Sequence, residues 1–328
     1  MAAVLIGNFN FYFVIDHELF AIYCNLSTCI LEVYENLEKL FIKGYKYMDT
    51  SDAIFTPFTP SVKFEEHVPI ILFQSGYGST SESHAPLLQS ISDAGYVVVV
   101  PDRTGDKKGG KESVSQLFAA LGEGKPASEF NAMSTDGRHL AAAFEWVKSQ
   151  SEINGQKIDH KKIASAGFSM GCLEAIAFAS GSHSSEVSAC IIISSSSGTM
   201  LESFYAFSQV ELINNVSNFS MPSLWITSNK DSQFEATKDL FEVAPSPASF
   251  LVFNDQALDL SMALTDATSI WSFSVTEMMP GLAQHFALAA EEGVVSDVPT
   301  VAFLNRHLKD IEIKSLASPE LVFEQKDK

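Results

Sequence analysis

Positive charge is scarce in this sequence. Its 328 residues carry 21 Lys plus Arg against 40 Asp plus Glu, a formal net charge of −19. Nucleic-acid phosphates and anionic membrane surfaces are held mainly through clusters of Lys and Arg, so this balance repels both, and no nucleic-acid partner is expected. Cysteine is scarce too, with Cys24, Cys29, Cys172 and Cys190 only. That is too few for a disulfide framework in a chain of this length, and no pair of CxxC spacings offers a structural zinc site. No metal or organic cofactor is expected. No stretch approaches the roughly 18 uncharged apolar residues of a membrane span, so no integral membrane segment is expected. Asp16, His17 and Glu18 interrupt the apolar first 23 residues, which also lack a basic n-region and a small-residue cleavage site. A cytoplasmic location is therefore the default expectation. Asn25, Asn215 and Asn218 each begin an Asn-x-Ser sequon, a tripeptide that arises readily by chance.

Aromatic residues are plentiful. The 25 Phe, 8 Tyr and 3 Trp supply more apolar area than a solvated, disordered chain would carry. The body of the chain alternates short apolar runs with helical patterns. Pro69–Phe73, Val97–Pro101, Lys162–Ala166, Val187–Ile193 and Ser223–Ser228 read as buried strands; Pro86–Ala94, Gly137–Lys148 and Cys172–Ala179 read as helices. Continuous apolar strands alternating with helices predict an α/β fold, with a mostly parallel central sheet covered on both faces. Residues 1–60 fit this pattern less well and are read as an N-terminal extension to a catalytic domain over 61–328. Within the extension, Asn8–Tyr23 could form an aromatic-rich hairpin and Leu31–Ile42 a helix. Thr104–Ser134, rich in Gly, Lys and Ser, reads as an excursion at the rim of the sheet, where loops often shape a substrate pocket.

The sharpest local signal is Gly167-Phe168-Ser169-Met170-Gly171. Glycines on both sides of a serine permit a tight turn that lifts the hydroxyl above a sheet edge in strained backbone geometry. The pentapeptide alone is not specific, but an apolar strand precedes it and an Ala-rich helix follows, the setting of a nucleophile elbow. A serine hydroxyl near neutral pH needs a base to take its proton and an acid to orient that base. With the chain order Ser, acid, His, only His285 and His307 lie beyond the acid candidates. His307 sits in the helix-like run Val301–Leu308, whereas His285 follows Pro280-Gly281 in a loop-like context, which favours His285. For the acid, Asp231 follows the strand-like Ser223–Ser228, and Asp255 follows the strand-like Phe250–Phe253; position favours Asp231. Oxyanion donors are expected from the backbone N–H of Met170, next after the serine, and of Tyr77, in the Gly-rich loop Gln74–Gly78.

Together these residues resemble the cutinase-type and dienelactone-hydrolase-like branch of the α/β-hydrolases, which includes bacterial polyester hydrolases, over roughly Val68–Leu308. Gly76-Tyr77 is similar to that branch's oxyanion loop, and Ala94-Gly95-Tyr96-Val97-Val98 to one of its strands. Asp136-Gly137-Arg138-His139-Leu140 resembles the helix before its elbow. The Met221-Pro222-Ser223-Leu224-Trp225-Ile226 run ahead of Asp231 and the pair His285-Phe286 resemble its acid and base segments, and Thr300–Leu308 its closing helix. Three departures accompany these matches. Cys172 stands where many members carry a glycine. Ser194–Ser197 occupy the approximate place of the Pro-Trp pair with which polyester hydrolases hold aromatic substrates. The stretch from Asp231 to His285 is longer than is usual in the branch, which implies an insertion.

The resulting expectation is a serine hydrolase of carboxylic esters. His285 deprotonates Ser169, Asp231 orients His285, Met170 and Tyr77 N–H groups hold the oxyanion, and Tyr77 and Phe168 line an apolar substrate pocket for a small-molecule or polymeric ester. Acyl transfer to an alcohol would use the same groups. The alternative is a binding or scaffold protein that keeps the hydrolase fold without its chemistry, which the long acid-to-histidine stretch would produce if the triad did not close.

Overall fold

A computed structural model of the protein describes residues 10–15, 18–23, 54–76, 80–102, 137–195, 209–229, 231, 234–253, 299–311 and 321–326. The chain divides into two compact units, Met1–Asp49 and Thr50–Lys328. In the first, β1 (Asn10–Ile15) and β2 (Glu18–Tyr23) pair antiparallel, with Asn10 opposite Tyr23 and Ile15 opposite Glu18. This is the hairpin expected from the aromatic run; the helix expected at Leu31–Ile42 lies outside the described residues.

The second unit is built on a sheet whose strands run in the order β11-β10-β9-β8-β7-β4-β5-β3. They are β3 (Ile54–Phe58), β4 (Val68–Gln74), β5 (Val97–Asp102), β7 (Gln156–Phe168), β8 (Ala189–Ile193), β9 (Ser223–Ser228), β10 (Ala248–Phe253) and β11 (Leu321–Lys326). A two-residue strand, β6 (Glu152–Ile153), pairs with the start of β7. The six central strands are parallel, and β3 and β11 close the two edges antiparallel. Edge strand β3 lies ahead of residue 60, within the stretch read from the sequence as extension, and its pairing with β5 carries it into the main sheet. Pro57 is compatible with that edge, because an edge strand has one side free of ladder hydrogen bonds.

Side chains alternate across the sheet. Ile70 and Leu72 of β4, Val97 and Val99 of β5 and Trp225 of β9 enter one core; Ile71, Phe73, Val98, Val100, Leu224 and Ile226 enter the other. On the first face lie α2 (Arg138–Lys148), α3 (Gly171–Ser180), α4 (Gln209–Ser217) and α5 (Phe234–Val243), represented by Leu140, Ile176, Leu212 and Leu240. On the second lie α1 (Ala85–Asp93) and α6 (Pro299–Leu308), represented by Leu88 and Leu304. Period-2 burial on both faces explains why these strands are apolar throughout, since polar residues on either face would be stripped of water without partners.

Three polar devices fasten these elements together. Glu174 of α3 is fully buried, and its Oε1 accepts the His139 N–H at 2.7 Å, satisfying a donor in the first turn of α2. Lys326 of β11 donates to the carbonyls of Glu242 at 2.8 Å and Ala244 at 3.3 Å, covering the acceptors at the end of α5. On the other face, Tyr96 Oη donates to Asn305 Oδ1 at 2.8 Å. Lys309 lies 4.1 Å from the Tyr96 ring centroid and donates to the Ala94 carbonyl at 3.0 Å. These contacts fasten the end of α6 to the start of β5, and burial pushes the Lys309 amine down to about 8.

Tyr96→Phe keeps the ring and removes the buried hydroxyl, so it is expected to cost about 1–3 kcal/mol. Urea unfolding measures this as a lower midpoint at unchanged slope. A midpoint equal to that of the wild type would show that α6 is not held by this hydrogen bond.

Candidate active site

Strand order changes direction at β4: the chain passes from β4 through α1 to β5 on one side, and β7 then pairs on the other. In open α/β sheets this reversal opens a crevice at the carboxyl ends of the two diverging strands. Gln74-Ser75-Gly76 leave β4 at that point and Ser169 leaves β7, with Gln74 paired to Gly167 in the last rung between them.

Ser169 has φ of +53°, left-handed backbone that a side chain adopts at a cost. The turn is held by Ser169 N–H donating to Ile193 O at 2.9 Å and by Cys172 N–H donating to Ser169 O at 3.1 Å. Glycine is required on both sides. A Cβ on Gly167 would meet the Gly171 carbonyl, and one on Gly171 would meet the Gln74 carbonyl and come within 2.7 Å of Ser75 O. The turn therefore packs directly against the loop that follows β4. A Cβ on Gly76 would lie 3.2 Å from Ser169 Cβ and 3.1 Å from Phe168 Cδ1, so that loop passes close beside the serine. Met170 stands at the N-terminal cap of α3, where the helix dipole places partial positive charge. The structure thus brings together Ser169, Met170 and the Gln74–Gly76 end of the loop expected to supply an oxyanion donor. Tyr77 itself lies outside the described residues.

Phe168 is 3% exposed, its ring 5.2 Å from that of His84 and close to Gly76, so it packs beneath the loop. His84 is a residue that sequence reasoning passed over. It is buried against Phe73 and Phe168, and neither ring nitrogen finds a hydrogen-bond partner among the described residues. Burial drives its pKa down to about 4, opposed in part by the Asp102 carboxylate. Asp102 in turn accepts the Ser81 N–H at 2.9 Å and the Thr56 hydroxyl at 2.5 Å, pinning the segment that leads into α1.

Asp231 follows β9, as its position in the sequence predicts, and its N–H donates to Ser228 O at 2.9 Å. The carboxylate is buried. Its Oδ2 accepts from Thr227 Oγ1 at 3.2 Å and from Ser194 Oγ. Ser194, the residue after β8, also has positive φ, +54°. The serine turns at 169 and 194 stand side by side, since Phe168 pairs with Ile193 and Ile193 with Ile226. Cys172 directs its thiol at the carbonyls of Gly167 and Ile193, at 3.2 and 3.3 Å. Burial pushes that thiol well above its ordinary range and Cys190 up to about 12, so neither supplies a thiolate near neutral pH.

His285 and Asp255 lie outside the described residues. Connectivity still bounds the first: α5 and β10 occupy much of the chain after Asp231, and His285 falls in the connection from β10 to α6. His307 lies on α6, as expected, partly buried with its ring 4.6 Å from that of Phe303. Among the described residues no group of three or more His, Cys, Asp or Glu is placed to hold a metal ion, and no helix is long and apolar enough to cross a membrane.

A parallel sheet clad on both faces, a strained serine turn at its reversal point and a buried carboxylate two strands away are features of the α/β-hydrolase fold. A model of the dienelactone hydrolase family matches residues 57–244, from β3 to the end of α5, and the chain belongs to that family. The match takes in Ser169 and Asp231 and ends before His285. No curated protein matches the chain.

The burial of His84 has a consequence for acid stability. Its folded pKa lies below the ordinary 6.5, so the unfolded chain takes up a proton that the folded chain refuses between about 6.5 and about 4. Stability is full above that window, falls as pH drops through it by up to about 3 kcal/mol, and levels off below. His307 is shifted to about 4 in the same sense, with a smaller effect because it is partly exposed. Urea midpoints of His84→Leu at pH 7, 5.5 and 4.5 are expected to fall less steeply than those of the wild type. Parallel slopes would show that His84 is not the group being charged.

Proposed function

We propose that the protein hydrolyses carboxylic esters through an acyl-enzyme on Ser169, with His285 as base and Asp231 as acid. The observation that carries this reading is the placement of a strained serine and a buried carboxylate at the same sheet edge, on β7 and β9 with β8 between them. Adjacent strands are about 4.8 Å apart, so two steps separate the turns by roughly 10 Å. An imidazole that donates at one nitrogen and accepts at the other joins oxygens about 8 Å apart, which fits between them. The β10–α6 connection that bears His285 leaves the sheet at this edge, because β10 is parallel to β9. The family's name supports the ester class, since a lactone is a cyclic carboxylic ester.

In the first step His285 takes the Ser169 proton as Oγ attacks the ester carbonyl. The negative charge on the tetrahedral intermediate is held by the N–H groups of Met170 and Tyr77. His285 passes its proton to the leaving alkoxide, and the alcohol departs. Water, deprotonated by His285, then attacks the acyl-enzyme; the acyl–Oγ bond breaks as His285 returns the proton to Ser169, and the acid is released. Asp231 holds the imidazole in the tautomer that accepts from serine and stabilises the imidazolium that forms. Phe168, packed under Gly76, supports the oxyanion loop.

A fluorophosphonate probe is expected to label wild-type protein on Ser169 and to leave Ser169→Ala unlabelled. Hydrolysis of a chromogenic ester should fall by about 10⁴ in Asp231→Asn, with Asp255→Asn mild. Wild-type protein that neither labels nor hydrolyses any ester of an acyl-chain series would replace this reading with that of a fold retained for binding. Loss confined to Asp255→Asn would move the acid to that position.

A further inference from the structure

We infer that Ser194 is a positioning residue for the reaction, its hydroxyl together with that of Thr227 fixing the Asp231 carboxylate by one oxygen. The inference rests on the reading of Asp231 as the acid of the triad. A carboxylate removed from water is costly unless hydrogen-bond donors replace the lost solvent. Here two buried hydroxyls from two different strand ends, Ser194 after β8 and Thr227 within β9, converge on the same atom, Oδ2. Anchoring one oxygen from two directions fixes the plane of the carboxyl group. The orientation of the other oxygen is thereby set as well.

The backbone at Ser194 makes the same point independently. Its φ of +54° is one that Gly or Asn adopts more cheaply than Ser. What the kink achieves is visible in its neighbours: Ser194 N–H donates to Ile226 O at 2.8 Å while its hydroxyl reaches Asp231. Ser195 N–H then donates to Thr237 Oγ1 at 2.9 Å, tying the chain after the kink to α5. Strained backbone held on both sides by buried hydrogen bonds is a feature of sites where a side chain must be aimed. The Cys172 thiol of α3, which also feels this carboxylate, is held neutral by burial and directed at backbone carbonyls.

The step affected is proton transfer at the base. Donors on Oδ2 draw off part of the carboxylate's charge, so removing one leaves more charge to hold the imidazolium and makes the base harder to deprotonate. It also loosens the orientation of the imidazole. Ser194→Gly removes the hydroxyl while glycine accepts the left-handed backbone without strain, so the fold is preserved. For that variant kcat on a chromogenic ester is expected to fall about 10-fold with KM nearly unchanged, and the acidic limb of the kcat/KM profile to move upward by about half a pH unit. Thr227→Val should shift the limb in the same direction. In an Asp231→Asn background Ser194→Gly should cost nothing more, because the two act as one unit. A full additive loss in that background, or a limb that stays in place while Asp231→Asn cripples turnover, would overturn the role of Ser194 and leave the triad standing. An Asp231→Asn enzyme of normal activity would instead overturn the reading of Asp231 on which the inference rests.

Discussion

The close approach of the β7–α3 turn to the end of β4 is the constraint on which the rest of the site depends. Gly171 touches the carbonyls of Gln74 and Ser75, and Gly167 touches the carbonyl of Gly171, at separations that admit no Cβ. Because the turn cannot retreat, Ser169 is forced into left-handed backbone and the loop after β4 is forced alongside it. Ser169 and the loop after β4 are thus juxtaposed by steric exclusion between backbones. That arrangement is stiff in a way that a contact between flexible side chains is not.

From that point the site extends sideways along the sheet edge. β7, β8 and β9 are in register, so the residues that leave them arrive as a row: Ser169, Ser194 and then Asp231. Two of these take positive φ, and each donates its N–H to the last or nearly last carbonyl of the next strand. The row is a direct result of parallel pairing, which delivers every strand's carboxyl end to one edge. The polar groups there are buried among apolar strands, which strengthens every hydrogen bond they make and makes any missing one costly.

The supporting shell is asymmetric. On one face α2 and α3 are bound by the Glu174 carboxylate, and the neutral Cys172 thiol fills the space under the turn. On the other, Phe168, Phe73 and His84 pack their rings together beneath the loop after β4. A histidine kept neutral inside an aromatic cluster ties the integrity of that loop to pH, whereas the thiol on the opposite face stays protonated throughout the neutral range.

Much of this was already written in the sequence. Continuous apolar runs such as Val97–Val100 and Ile70–Phe73 determine buried strands, because only a strand covered on both faces accepts apolar residues at every position. The Gly-x-Ser-x-Gly spacing determines a tight turn, because the steric demand is local to five residues. The strand at Ser223–Ser228 likewise places Asp231 at a carboxyl end by counting alone. Other features depended on partners distant in sequence. Ile54–Phe58 and Leu321–Lys326 became edge strands only through pairing with β5 and β10, a choice their own residues do not encode. Ser194 looked like one of a run of small polar residues until parallel register set it between Ser169 and Asp231. His84 carried no motif at all, and its neutrality follows from the rings of Phe73 and Phe168 closing over it. Local sterics and periodicity are properties of neighbours along the chain; burial, edge pairing and the convergence of hydroxyls on one carboxylate oxygen exist only once strands far apart in sequence lie side by side.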